Sequence, residues 1–216
     1  EVAILEKITS KKPSIPVLAN VLIRAEGTLV TLSATDVEIA VRSSCKATVL
    51  APGSVTLPAR RLLDLARAQS DLMIQLAVDG TSVKLTSGQF HSKLQSTPAD
   101  DFPKIPEMNG ASPVALPSAS LKTLIEHVRF AISDKDQQRF FMKAALMVLQ
   151  DKKMSLVATD SARLSVSSAS RIGSETDKAL LPAKVVDELV VLLAESSVPI
   201  VEFVRNDQHL FFTIGT

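Results

Sequence analysis

Apolar positions along the chain follow two rhythms: short runs that alternate every second residue, and a few stretches that recur at about every fourth. The helical rhythm is clear in 182–196, where Val185, Val186, Leu189, Val190 and Leu193 share one face behind Pro182, a residue suited to a first turn. Leu62, Leu63, Leu65 and Ala66 repeat it in 58–68. Leu121, Leu124, Ile125, Val128 and Ile132 predict a further helix over 118–132, and 2–8 reads as the closing turns of another. Strand periodicity predicts 21–23, 29–33, 37–42, 47–50, 74–78, 83–86 and 90–94, with Ala-Glu-Gly and Asp-Gly marking tight turns.

The pattern occurs twice. Residues 20–60 and 145–184 each run from a hydrophobic stretch through a polar turn to a strand ending Ala-Thr-Asp, then a second strand, then Leu-Pro-Ala and a base. Thr35 to Pro58 and Thr159 to Pro182 both span 23 steps, and the copies are offset by 124 positions. By that offset the end of helix 118–132 falls on 2–8, so the first copy's opening strand and early helix would lie before residue 1. The second copy starts with a strand near Val114 and stops at TIGT, short of the strands near 83–85 and 90–94 and the loop DDFPKIPE that finish the first. Both ends are expected to be cut from a longer protein, and the join is expected in the proline-rich stretch 102–117. Few one-faced helices among many short strands predict an α+β layering, antiparallel sheet with two helices per copy packed on one side.

Composition removes several classes of function. A chain of 216 residues with 46% hydrophobic and 22% charged content can build cores and is not a disordered one. No run approaches the roughly 18 apolar residues of a membrane span, and the start EVAILEKITSKK lacks a secretory layout, so the expected location is cytoplasmic. Cys45 is the single cysteine, and His91, His127 and His209 are scattered, which leaves no disulfide framework and no metal site. The 24 basic and 23 acidic residues nearly cancel, so any attraction for nucleic acid must be local. With no Trp, no Tyr and eight Phe, base-stacking platforms are sparse.

Candidate chemistry is thin. Phosphate-cradling glycine loops and the nucleophile elbow are both missing from the sequence. The duplicated pairs Thr35/Asp36 and Thr159/Asp160 admit two readings, an acid-dependent hydrolase using Asp36 and Asp160, or a turn in which the side-chain oxygens accept local backbone N–H groups. The turn is favoured, because the glycine that an aspartic hydrolase loop requires is missing from both copies. Basic residues are more telling by position: Lys11 and Lys12 follow the first helix, Arg60, Arg61 and Arg67 lie on the second, Lys122 and Arg129 on the third, and Arg139 in the loop DKDQQRFF. Such placement suggests a phosphate-facing surface, although on the fourth helix Lys184 is outnumbered by Asp187, Glu188 and Glu195. Phe140 and Phe141 are either core aromatics or exposed contacts.

Six segments in order, SIPVLANVLI, LSATDVEIAV, GSVTLPARRLLDLAR, DDFPKIPE, LVATDSARLSV and LLPAKVVDELVVLL, resemble the bacterial DNA polymerase III beta sliding clamp family along nearly the whole chain. The resemblance implies a duplicated clamp fold, in a ring of six similar domains with helices lining the hole and sheets outside. It implies that 1–112 is the first clamp domain, without its N-terminal strand and early helix. Residues 113–216 would be the second domain without its last strands, and the third would be absent. The implied function is non-catalytic processivity: a homodimeric ring encircles duplex DNA without reading sequence and tethers the replicative polymerase, with no cofactor. Weak, sequence-blind phosphate contacts of that kind suit a near-neutral chain.

Position on the helices and adjacent loops nominates Lys11, Arg61 and Arg67 as DNA contacts, and the resemblance adds Lys12, Gln138, Arg139, Phe140 and Phe141. Lys12 stands where the family has an arginine, and the two phenylalanines where relatives often carry tyrosine. Polymerase subunits, the clamp loader and repair proteins would insert a short peptide into a cleft whose second-domain wall is Met142, Thr159, Arg163 and Leu164. Ser161 and Ala162 replace the family's usual Gly-His, which bears on pocket shape. A different ring, three copies of a two-domain subunit, would also supply six domains; the cut ends argue against it.

Overall fold

The computed structural model describes residues 1–9, 15–69, 73–108, 112–133 and 139–215. It divides into two compact units, Glu1–Ile105 and Pro106–Thr216. The first unit opens with α1 (Val2–Ile8) and continues through β1 (Asn20–Glu26), β2 (Leu29–Thr35), β3 (Ala40–Lys46), β4 (Gly53–Pro58), α2 (Ala59–Arg67), β5 (Gln75–Asp79), β6 (Ser82–Ser87) and β7 (Phe90–Gln95). Its strands form two antiparallel sheets, ordered β3-β2-β1-β4 and β5-β6-β7.

The second unit repeats the plan with β8 (Val114–Pro117), α3 (Ser118–Val128), β9 (Ala144–Gln150), β10 (Lys153–Thr159), β11 (Leu164–Ser170), β12 (Asp177–Pro182), α4 (Ala183–Glu195), β13 (Ile200–Arg205) and β14 (Leu210–Ile214). Its sheets are ordered β11-β10-β9-β12 and β14-β13-β8. Shifted by the sequence offset, β1, β2, β3 and β4 superpose in bounds on β9, β10, β11 and β12. The duplication is therefore one of topology as well as of sequence.

Alternation explains the layers. Along β1, Val21 and Ile23 are buried, and along β4, Val55 and Leu57, so one face of the four-stranded sheet is dry. Helices cover that face: Leu5 and Ile8 of α1 and Ala59 and Leu62 of α2 join those strands, and Val83, Leu85 and Leu94 of the smaller sheet, in one core. The second core has the same makeup, with Leu121, Leu124 and Ile125 of α3, Val186 and Leu189 of α4, and Phe203 of β13 fully or nearly buried. Phe203 also lies against Phe212 at 5.1 Å between ring centroids. Each such side chain contributes on the order of 1.5–3 kcal/mol by leaving water. Truncating Phe203 would open the largest gap. The opposite faces of the helices remain in solvent: Arg60, Arg61, Asp64 and Arg67 on α2, Thr123 and Glu126 on α3. The α+β class and the one-sided helices of each copy agree with the sequence reading.

Three boundaries differ from it. The segment 47–50 is loop rather than strand, and the sheet's edge is instead β4, whose Gly53 to Pro58 pair with Ala25 to Asn20 of β1. Ala51 and Pro52 lie between them; pairing with β1, a long-range event, outweighed local propensity. Val37 belongs to a turn, so β3 starts only at Ala40. The third helix stops being α-helical at Val128 and tightens into a 3-10 turn over Arg129–Ala131, which lets Ala131 and Ile132 turn back to the core.

Candidate functional site

The duplicated Thr-Asp pairs build two copies of one turn. Asp36 accepts the N–H groups of Glu38 at 3.1 Å and Ile39 at 2.9 Å on Oδ1, while Thr35 Oγ1 donates to the Ile39 carbonyl at 2.8 Å and accepts the Val37 N–H at 3.1 Å. In the second unit Asp160 Oδ1 accepts from Ala162 and Arg163 at 3.1 and 2.9 Å. Thr159 Oγ1 donates to the Arg163 carbonyl at 2.7 Å and accepts the Ser161 N–H at 3.2 Å. One carboxylate oxygen of each Asp and the hydroxyl of each Thr are thus occupied in closing a hairpin. The turn reading holds, and the hydrolase reading loses its basis.

Above the second turn, side chains depart from the first. Asp160 Oδ2 accepts from Arg163 Nε at 2.8 Å, and the Arg163 Cζ stands 5.7 Å from the centre of the Phe130 ring. Leu164, which pairs with Thr159 across the hairpin, is exposed. Met142 is buried in the 3-10 turn that leads into β9, at the end of the sheet where β10 finishes. The four residues predicted for a cleft therefore lie at one end of one sheet, with Met142 buried and Arg163 and Leu164 exposed. The Thr159 hydroxyl is engaged by the turn. The Asp160 carboxyl lies below its ordinary 3.8, chiefly because of the backbone N–H of Arg163, opposed by partial burial and helped by the Arg163 side chain.

Phe130 is a neighbour that sequence reasoning passed over. It falls inside the predicted helix but off the stripe of Leu121, Leu124, Ile125, Val128 and Ile132, and that offset was the available signal.

The predicted phosphate-facing residues differ in what holds their side chains. Lys11, Lys12 and Gln138 lie outside the described residues. Arg61 and Arg67 are exposed on α2, without an ion pair among the described residues. Arg60 is less available, since it reaches Glu6 and Asp64, each at 3.3 Å. Arg129 is held by Asp187 at 2.6 Å, which offsets a charge on α4. The carbonyl of Arg139 accepts the Met142 N–H at 2.9 Å, which anchors the turn that carries Phe140 and Phe141. Both rings are exposed, edge to face with centroids 6.0 Å apart, so neither belongs to the core. Among the described residues no group of three or more His, Cys, Asp or Glu could hold a metal ion, and no helix is long and apolar enough to cross a membrane.

A twice-built α+β module of this kind, two helices over paired antiparallel sheets, is the duplicated fold of DNA clamps. Residues 1–106 match the family model of the DNA polymerase III beta subunit N-terminal domain, and 115–216 that of its central domain. The chain belongs to the DNA polymerase III beta subunit family.

Among its relatives, the beta sliding clamp of Pseudomonas putida is 29% identical over 212 residues, covering 96% of this chain and 57% of that protein. That of Vibrio cholerae is 32% identical over 196 residues, covering 88% and 52%. A crystal structure of the Pseudomonas aeruginosa sliding clamp bound to griselimycin is similar with a TM-score of 0.91 at 26% identity, over 99% of this chain and 58% of that one. The chain thus spans little more than half the length of these relatives.

Proposed function

We propose that the protein to which this chain belongs is a sliding clamp, a non-catalytic processivity factor that encircles duplex DNA and tethers the replicative polymerase. The observation that carries the reading is the exposed basic face of α2: Arg61 and Arg67 project from a helix whose other side is sealed into the core, without competing ion pairs among the described residues. Two guanidinium groups on a rigid helix, without an ion pair among the described residues, suit phosphate contact without base readout, and near-neutral overall charge suits weak, mobile contact.

In this reading 1–112 and 113–216 are the first and second clamp domains, and the ring is completed by a third domain and a second subunit, in the cytoplasm. Lys11, Lys12, Gln138, Arg139, Phe140 and Phe141 add DNA contacts, and the exposure of the two phenylalanines supports their share. Polymerase, clamp loader and repair proteins dock short peptides at Met142, Thr159, Arg163 and Leu164, where an exposed leucine next to a charged rim offers an anchor.

Two measurements on the full-length protein test this. Replacing Lys12 and Arg139 together by Ala is expected to weaken loading on DNA with little change in folding; unaltered binding at low salt removes both from the DNA surface. Leu164→Asp is expected to abolish capture of a labelled peptide copied from the clamp-contacting segment of the cognate polymerase, and retained affinity moves the docking site elsewhere.

A further inference from the structure

The two turns serve as each other's control. Both carry the same Thr and Asp bonds to backbone, so neither needs the side chains that follow for closure. In the first copy the position of Arg163 is taken by Ile39 and that of Phe130 by Glu6, which instead reaches Arg60. In the second copy the turn's carboxylate also grips a guanidinium, and a ring lies under it. We infer that Asp160 and Phe130 are positioning residues for partner binding: together they hold the Arg163 guanidinium as a fixed ledge beside the exposed Leu164. The inference rests on the docking reading given above.

The geometry supports one orientation of that ledge. Asp160 Oδ2 engages Nε at 2.8 Å, on the inner edge of the guanidinium, and the Phe130 ring sits within cation–π range at 5.7 Å. With its inner edge and one face occupied, the group keeps its terminal N–H donors for an incoming peptide. Arg163 is itself more than half exposed, so without these two contacts its long side chain would sample many rotamers, and ordering it on binding would weaken association. The bound species is a short peptide that sets an apolar side chain on Leu164 and a backbone carbonyl or other acceptor on Arg163. Preorganisation, and not a new contact, is the contribution of Phe130 and Asp160.

Fluorescence anisotropy of the same labelled polymerase peptide on the full-length protein tests the inference. Phe130→Leu is expected to weaken binding about twofold to fivefold, the range of an exposed cation–π contact, and Phe130→Tyr to restore it. Asp160→Asn, which retains the turn acceptor but loses the charged grip on Nε, is expected to weaken it similarly. In an Arg163→Ala background both effects should disappear, which a purely structural role would not produce. Unchanged affinity in Phe130→Leu, or an equal loss with and without Arg163, overturns the inference. Leu164→Asp separates the two levels: if it leaves binding intact the docking reading itself fails, whereas loss there with no effect of Phe130→Leu removes only the ledge.

Discussion

Val37 and Ser161 hold the same step of the same turn, both with left-handed backbone, at φ 81° and 72°. The conformation is forced by the neighbouring Asp, whose Oδ1 gathers the next two N–H groups only if the chain reverses there. It suits glycine and suits a β-branched residue least.

Val37→Gly is therefore expected to stabilise the first unit, despite the lost β-branched side chain. Relief of a left-handed strain of roughly 1–2 kcal/mol outweighs the entropy that glycine adds to the unfolded chain, for a net gain of roughly 0.5–1 kcal/mol. Ser161→Gly should gain less, and Ser161→Val should lose about 1 kcal/mol. Urea unfolding of the four proteins gives the ranking, and a destabilised Val37→Gly would refute the strain.

Acid should weaken the second unit through two carboxylates. The Asp160 carboxyl is held below 3.8, first by the Arg163 N–H, and Glu175 below 4.5, first by its hydrogen bond from the Arg171 side chain. Both folded values lie under the unfolded ones, so the stability they add is complete above the unfolded values and is lost as pH falls through the folded ones. Thermal midpoints should hold level from neutral pH to about 5 and then drop. Asp160→Asn with Glu175→Gln should lower the neutral plateau and shallow the drop; an unchanged profile would detach these groups from it.

A polar knot in the first unit has no counterpart in the second. Buried Asn20 donates from Nδ2 to Thr56 and Thr97, each at 3.1 Å, whereas the repeat places Ala144 at its position. Asn20→Ala leaves the two hydroxyls without that donor and should cost about 1–3 kcal/mol. Amide exchange at Thr97, whose N–H reaches the Thr56 carbonyl at 3.4 Å, should quicken with it. Protection equal to the parent's would show that the strand contact stands without the amide.

On DNA, Arg61→Ala and Arg67→Ala in the proposed full-length ring should each reduce the slope of log affinity against log salt by about 1. Arg129→Ala should change it little, since Asp187 already neutralises that charge. A slope insensitive to Arg61 and Arg67 would take α2 off the DNA path.

Much of this was legible before folding. The stripe of Val185, Val186, Leu189 and Leu193 predicted α4, and the second Ala-Thr-Asp predicted a second copy of β2 and its turn. The basic face of α2 was also visible, because Arg60, Arg61 and Arg67 fall on the side that Leu62 and Leu63 leave to solvent. The misread strand at 47–50 shows where this stops, for β4 is defined by its partner β1 and not by its own alternation.

The repeat, the class of fold and the family were determined by the sequence alone, since periodicity and motif order are properties of neighbouring residues along the chain. Which charges are free was decided only by tertiary structure: Arg129 spent on Asp187, Arg60 on Glu6, Arg163 pinned by Asp160 above Phe130. An ion pair or a ring contact depends on distances of a few ångströms, and between residues far apart in the chain those distances exist only once the helices and sheets have packed.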